Sequence, residues 1–234
     1  MADGTTFQLT FDFSESDVRH IRGLNYNVAL VKSASASHGP GGDNHEVIWL
    51  DFAPFMTNTV TWQEHYAVYA SNTRIEDGAT IHKNSHEHAV TGKLYSFTNG
   101  HFEKLGKESS GAFWAENQSD LHAHLTMGLA QRAQVDGNPQ FSPIIAVPGP
   151  KNVKLSFVPE VQIGIFLWYK KDNGTVIAKG TGERLNVTLT TTVNAAKIGF
   201  KKSNNTFTLE NKYNTGGEAL FADPQDEDQA LIEA

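Results

Sequence analysis

Cysteine is absent from the 234 residues, which excludes a disulfide framework, a thiolate metal site and a cysteine nucleophile. Long hydrophobic runs are absent as well. The longest, residues 163–169 with Gly164 counted in, falls far short of the roughly 20 residues that a membrane-spanning helix needs. The opening Met1-Ala2-Asp3-Gly4 is polar and leads straight into a strand pattern, with no charged and then apolar leader; the expectation is a cytoplasmic protein, or a mature form whose leader has been removed. No Lys or Arg follows Lys212, while Glu218, Asp223, Asp226, Glu227, Asp228 and Glu233 do, so the tail holds −6 of the net charge of −7. A body so close to neutral, with no clustered Arg or Lys face, excludes nucleic acid as the expected partner. Catalytic fingerprints are missing too: no G-x-S-x-G turn, no G-x-x-x-x-G-K-[ST] phosphate loop and no dinucleotide motif occurs. The tail segment DPQDEDQ has the carboxylates of a calcium loop but lacks its glycine. Four N-x-Ser/Thr triplets, at Asn117, Asn173, Asn186 and Asn204, are no more than a chain rich in Asn, Ser and Thr produces by chance.

What is present is β patterning with enough apolar residues, 39% with 10% aromatic, to form a core. Phe7, Leu9, Phe11 and Phe13 alternate with polar residues, and Leu24, Tyr26, Val28 and Leu30 repeat the pattern after a turn at residues 14–17. Residues 33–44 read as an unpacked Ser/Gly excursion. Strands follow at 47–52, 59–70, 89–97, 102–104 and 112–115, and then at 154–158, 185–192, 197–201 and 206–210. Residues 121–129 alternate strictly and read as strand, although Asp120 could cap a helix there. In the central stretch 161–178, Val161, Ile163, Ile165 and Leu167 share one face and Gly164, Phe166 and Trp168 the other, so both faces can be buried. Asp172-Asn173-Gly174 then suits a hairpin turn back into 175–178.

The pattern defines an all-β chain built as an antiparallel β-sandwich, or as two stacked sandwich halves. The expected organisation is an N-terminal half (1–136), a Pro-rich connection (137–152) holding one short edge strand at 144–147, a C-terminal β half (153–212) and an acidic tail (213–234). Leu220, Phe221, Leu231 and Ile232 in the tail could dock on the body or on a second copy, which leaves a homodimer open.

Two groups of residues suggest chemistry. His82, His86 and His88, and separately His122 and His124, include His-x-His pairs; on a strand such a pair offers two imidazoles on one face, as β-rich metal sites do. Were the two pairs neighbours, they would hold a divalent metal, with Glu87, Glu103 or Glu116 as a carboxylate ligand. The plainer reading is that these histidines lie on solvated faces or line a polar pocket. Tryptophan and tyrosine supply the other hint. Trp62, Tyr66, Trp114 and Trp168, with His101, are candidates to line a cleft that stacks a planar or cyclic ligand. The expectation is a non-catalytic small-ligand binding protein, the ligand being a chromophore in one version. A carbohydrate-binding module or lectin and a His-ligated metalloprotein are the alternatives. A membrane-inserting protein, refolding 59–72 and 186–196 as hairpins, is a more distant one.

FQLTFDF and IRGLNYNVALVK near the start, with FSPIIAVPG, IGIFLWYKKDNGTVIA and LNVTLT later, resemble a group of fungal proteins of the oyster-mushroom pink-chromoprotein type. The resemblance covers most of the chain in order of elements. It implies a β-sandwich that holds a small, coloured, indole-derived molecule without an established catalytic role, and it assigns no ligand residue.

Overall fold

Alternation along the chain is realised as seventeen strands and a single helix among the described residues, which in this computed structural model are 4–37, 45–177 and 183–216. In order they are β1 (Phe7–Asp12), α1 (Glu15–Gly23), β2 (Tyr26–Ser37), β3 (His45–Val47), β4 (Leu50–Phe52), β5 (Thr57–Ser71), β6 (Ser85–Ala89), β7 (Lys93–Thr98) and β8 (His101–Lys107). Then come β9 (Phe113–Asn117), β10 (His124–Val135), β11 (Asn138–Pro143), β12 (Ile145–Pro150), β13 (Lys154–Tyr169), β14 (Val176–Ile177), β15 (Leu185–Thr188), β16 (Ala195–Lys201) and β17 (Thr206–Tyr213).

These strands form two sheets. A ten-stranded sheet runs β14-β3-β12-β10-β5-β1-β16-β17, with β11 also on β10 and β6 also on β5; a seven-stranded sheet runs β4-β2-β13-β9-β7-β8, with β15 also on β13. The all-β class holds. The sheets are mixed rather than antiparallel throughout, because β1 pairs parallel with β16 and β7 parallel with β9. Neither pair is joined by a tight turn, and local alternation encodes no strand direction. Each sheet also takes strands from both sides of residues 137–152, as in the pairs β1 with β16 and β2 with β13. The core lies between the inner faces, where Leu9, Val60, Trp62 and Leu129 of the larger sheet meet Val28, Leu30, Ile165 and Phe97 of the smaller.

Several local expectations change. Residues 14–17 open a helix rather than a turn: Ser14 caps it, its hydroxyl accepting from the Asp17 amide (3.2 Å) while the Asp17 carboxylate accepts from the Ser14 amide (3.0 Å). The helix is only nine residues long and buries Ile21 alone, so its apolar period is too brief to stand out. Ser33 to Ser37 continue β2, with Ala34 to Ser37 paired to β13; the rest of the expected excursion, 38–44, lies outside the described residues. The Pro-rich connection is not mostly loop. Its prolines fit because β11 is an edge strand, bonded only to β10, and because Pro148 and Pro150 lie beyond the Ile145–Ala146 pairing with β3. Residues 121–123 precede β10, and the strand reading of 121–129 holds from His124 onward.

β13 is central, as its two-faced apolar pattern requires, but the hairpin after it does not form. Val176 and Ile177 leave to pair with β3 in the other sheet, and Ala178 lies outside the described residues, as do residues 217–234 of the tail. The chain also changes sheet between β3 and β4, where Trp49 is buried. Among the described residues no helix is long and apolar enough to cross a membrane.

Candidate functional site

The departure of residues 172–177 from the expected hairpin builds the candidate site. Gly174 adopts φ +84°, and its amide reaches the Ile48 carbonyl (2.6 Å) while its own carbonyl accepts from Ile81 (3.0 Å). Val176 bonds Ala79 (2.8 Å) and Thr175 bridges Thr80, so this turn clamps the 78–81 segment over the outer face of the ten-stranded sheet. Between them and edge strand β11 opens a cleft of about 380 Å³ lined by Thr80, His82, Lys83, Gln140, Phe141 and Asp172, among others.

Its walls are fixed by hydrogen bonds. Asn173 accepts from the Asp51 amide (2.7 Å) and donates to the Gln140 side chain (3.0 Å), so its amide is used on both sides. Lys83 donates to the Phe141 carbonyl (2.6 Å), with its ammonium 4.6 Å from the centre of that ring. Arg132 stands 5.3 Å from the same ring and His86 is edge-on to it at 5.0 Å. Behind Asn173, Asp51 accepts from the Asn27 amide. Burial pushes its carboxyl up to about 6.

The predicted residues scatter across the fold. His82 lines the cleft and His86 flanks Phe141, but His88 faces His65 instead, ring centres 6.3 Å apart. His122, just before β10, and His124, its first residue, are exposed. Through the β6–β5–β10 register, His124 lies two strands across and four residues along from His86, which separates the backbones by ~16 Å. The expected convergence of His82, His86, His88, His122 and His124 on one metal therefore does not occur, and among the described residues no three His, Asp or Glu side chains group to hold an ion. Equal spacing put His86 and His88 on one face of β6, while His122 precedes β10 and pairing order put His124 on a different part of the sheet.

The aromatic candidates separate in the same way. Trp114 points away from the core on β9, donating to the Ser109 carbonyl (3.2 Å), and His101 is an exposed partner of Glu103 at 3.5 Å. Trp168 lies on the outer face of the seven-stranded sheet against Phe166. Its Nε1 is buried without a partner among the described residues. An unsatisfied donor of this kind costs about 1–3 kcal/mol, so Trp168→Phe, which removes it, is expected to change stability by less than about 1 kcal/mol despite the smaller ring. Urea unfolding measures this, and a loss above about 2 kcal/mol would mean that the indole N–H is satisfied.

Trp62 and Tyr66 do converge, inside the core rather than in a cleft, around a cation that the aromatic pattern did not announce. Lys32 is 3% exposed and donates to both Glu64 oxygens (2.7 and 2.8 Å) and to Gln131 (2.9 Å). Its ammonium lies 5.8, 6.0 and 5.0 Å from the rings of Trp49, Trp62 and Tyr66. Glu64 also accepts from Trp62 Nε1 (3.0 Å) and from the Tyr66 hydroxyl. Two bulges make room: β5 loops out at 63–65 against β10, and β13 loops out at 160–162 against β2. Burial pulls Lys32 down to about 8 even with Glu64 beside it. Burial raises the Glu64 carboxyl, but the charge and hydrogen bonds of Lys32 outweigh it and leave Glu64 below its ordinary value. Every member of this network is satisfied, so it is structural.

Sequence reasoning missed Lys83, Phe141 and Gln140 because nothing local connects 80–83, 140–143 and 172–173. For Lys32 a signal existed, since it continues the buried stripe Val28, Leu30, while Glu64 falls in phase between Trp62 and Tyr66. The fold and cleft define a β-rich protein with a ligand-sized hollow on the outer face of a mixed sheet. Comparison with protein-family models, curated proteins and solved structures finds no match.

Proposed function

We propose that this chain is a non-catalytic binding protein for a small molecule, held in the cleft between the 80–83 segment, β11 and the 172–173 turn. The cleft itself carries this reading: about 380 Å³ falls within the roughly 300–1,000 Å³ typical of small-molecule sites. Its lining combines an aromatic ring, an imidazole, an ammonium and a carboxylate, the mixture of apolar contact and few polar anchors that such sites use. Of the residues expected to line a pocket or hold a metal, only His82 belongs to it. A lectin is the weaker reading, because the Asn173 amide, best suited to sugar hydroxyls, is already engaged.

The resemblance to the fungal chromoprotein group makes a coloured ligand the first to seek. The absorbance spectrum of protein purified from its natural source is expected to show a band above the tryptophan region, with a small molecule released on denaturation. A colourless sample with nothing co-purifying by mass spectrometry would count against the proposal.

A further inference from the structure

The cleft contains a charge that is held partly out of water and, among the described residues, makes no ion pair. Lys83 is half-buried, and burial, with no other cause opposing it, lowers its pKa below that of an ordinary lysine. Its contacts among the described residues are the Phe141 carbonyl oxygen (2.6 Å) and the Phe141 ring (4.6 Å). A neutral carbonyl and a ring face offset only part of the cost of desolvating an ammonium. Two of its three N–H donors are left to serve a ligand. The contrast within the same protein is sharp: Lys32, more deeply buried, is met by both oxygens of Glu64.

Asp172 lines the same cleft without pairing to Lys83, so one wall is cationic and another acidic. We propose that Lys83 receives the carboxylate of a small organic monoanion bound in this cleft. The proposal rests on the reading of the cleft as a ligand site and specifies the charge of its ligand. A monoanion fits better than a phosphate dianion because a second negative charge in so small a volume is repelled by Asp172. An ammonium bonded to a carboxylate forms a charge-assisted pair, roughly twice as strong as a neutral hydrogen bond.

The test uses the intact chain and three probes, benzoate, its neutral isostere benzamide and inorganic phosphate, followed by chemical-shift changes at cleft residues. Benzoate is expected to bind at least tenfold more tightly than benzamide or phosphate. Lys83→Met is expected to weaken benzoate at least tenfold and leave benzamide unchanged. Asp172→Asn, at an exposed position whose carboxylate makes no hydrogen bond or ion pair among the described residues, is expected to tighten benzoate and to admit phosphate, which keeps the proposal testable should Lys83→Met misfold. Equal binding of benzoate and benzamide at the cleft, or benzoate binding indifferent to both substitutions, overturns the assignment to Lys83 while the cleft remains a ligand site. Phosphate binding more tightly than benzoate overturns the choice of a carboxylate. No shift at cleft residues with any probe removes both this inference and the cleft reading beneath it.

Discussion

Glu64→Gln is expected to cost about 3 kcal/mol of stability, and adding Lys32→Met to it is expected to recover more than half of that loss. The single substitution keeps an acceptor for Trp62 Nε1 and the Tyr66 hydroxyl but removes the carboxylate bonded to a lysine that is 3% exposed. Breaking a buried pair from one side costs about 3–5 kcal/mol, whereas removing both charges is often neutral. The low end applies because the Glu64 side chain retains 36% of its exposure and so keeps contact with water. Chemical denaturation of the two variants decides the matter, and a single-variant loss below about 1 kcal/mol would show that water compensates Lys32 directly.

The same pair sets a pH dependence with a definite sign. Lys32 titrates at about 8 in the folded chain, against an ordinary value of 10.5. Between those values the unfolded chain binds more protons, so the cost of the buried charge is full below pH 8 and is relieved as pH rises. Wild-type stability should therefore gain about 2 kcal/mol from this residue between pH 8 and 10. Above pH 10 the trend reverses, because burial raises the Tyr66 and Tyr69 hydroxyls and the unfolded chain loses those protons first. In the double variant the rise should disappear and only the alkaline fall remain.

Gly128→Ala is expected to destabilise the fold by about 3 kcal/mol or more, at the upper end of overpacking effects. Gly128 sits on β10 where β12 begins to pair, beneath Tyr69 of β5. A methyl group there would overlap the Ile145 carbonyl oxygen and lie 2.8 Å from the Tyr69 ring. That carbonyl accepts from the Tyr69 hydroxyl at 2.8 Å, so neither neighbour can withdraw without breaking a buried hydrogen bond. Gly106→Ala is the control, since nothing lies within 4 Å of its added carbon. It is expected to stay within about 0.5 kcal/mol of wild type. Thermal unfolding of both variants tests the contrast, and equal midpoints would mean that β12 shifts freely against β10.

Much of the fold was legible because alternation reports burial one residue at a time. Phe7, Leu9, Phe11 and Phe13 all reach the core, and β13 is central, as its double-sided apolar pattern required. The helix at Glu15–Gly23 was not legible, since nine residues give barely two turns of period and its capping pair uses Asp17 in place of the more familiar Glu or Gln. For the candidate site, the histidine and aromatic signals identified residue types but not neighbours. His82 reached the cleft, while Trp62 and Tyr66 went to the core and Trp114, His122 and His124 to separate surfaces.

By itself the sequence determined that the chain is β-rich, has a substantial core and can form no disulfide, because composition and period-two patterning act locally. The tertiary structure alone decided which strands run parallel, that residues 172–177 leave β13 for the other sheet, and that Lys83, Phe141 and Asp172 share a hollow. Those outcomes depend on pairings between segments tens of residues apart, whose free energy comes from burying both partners together and is written in neither one.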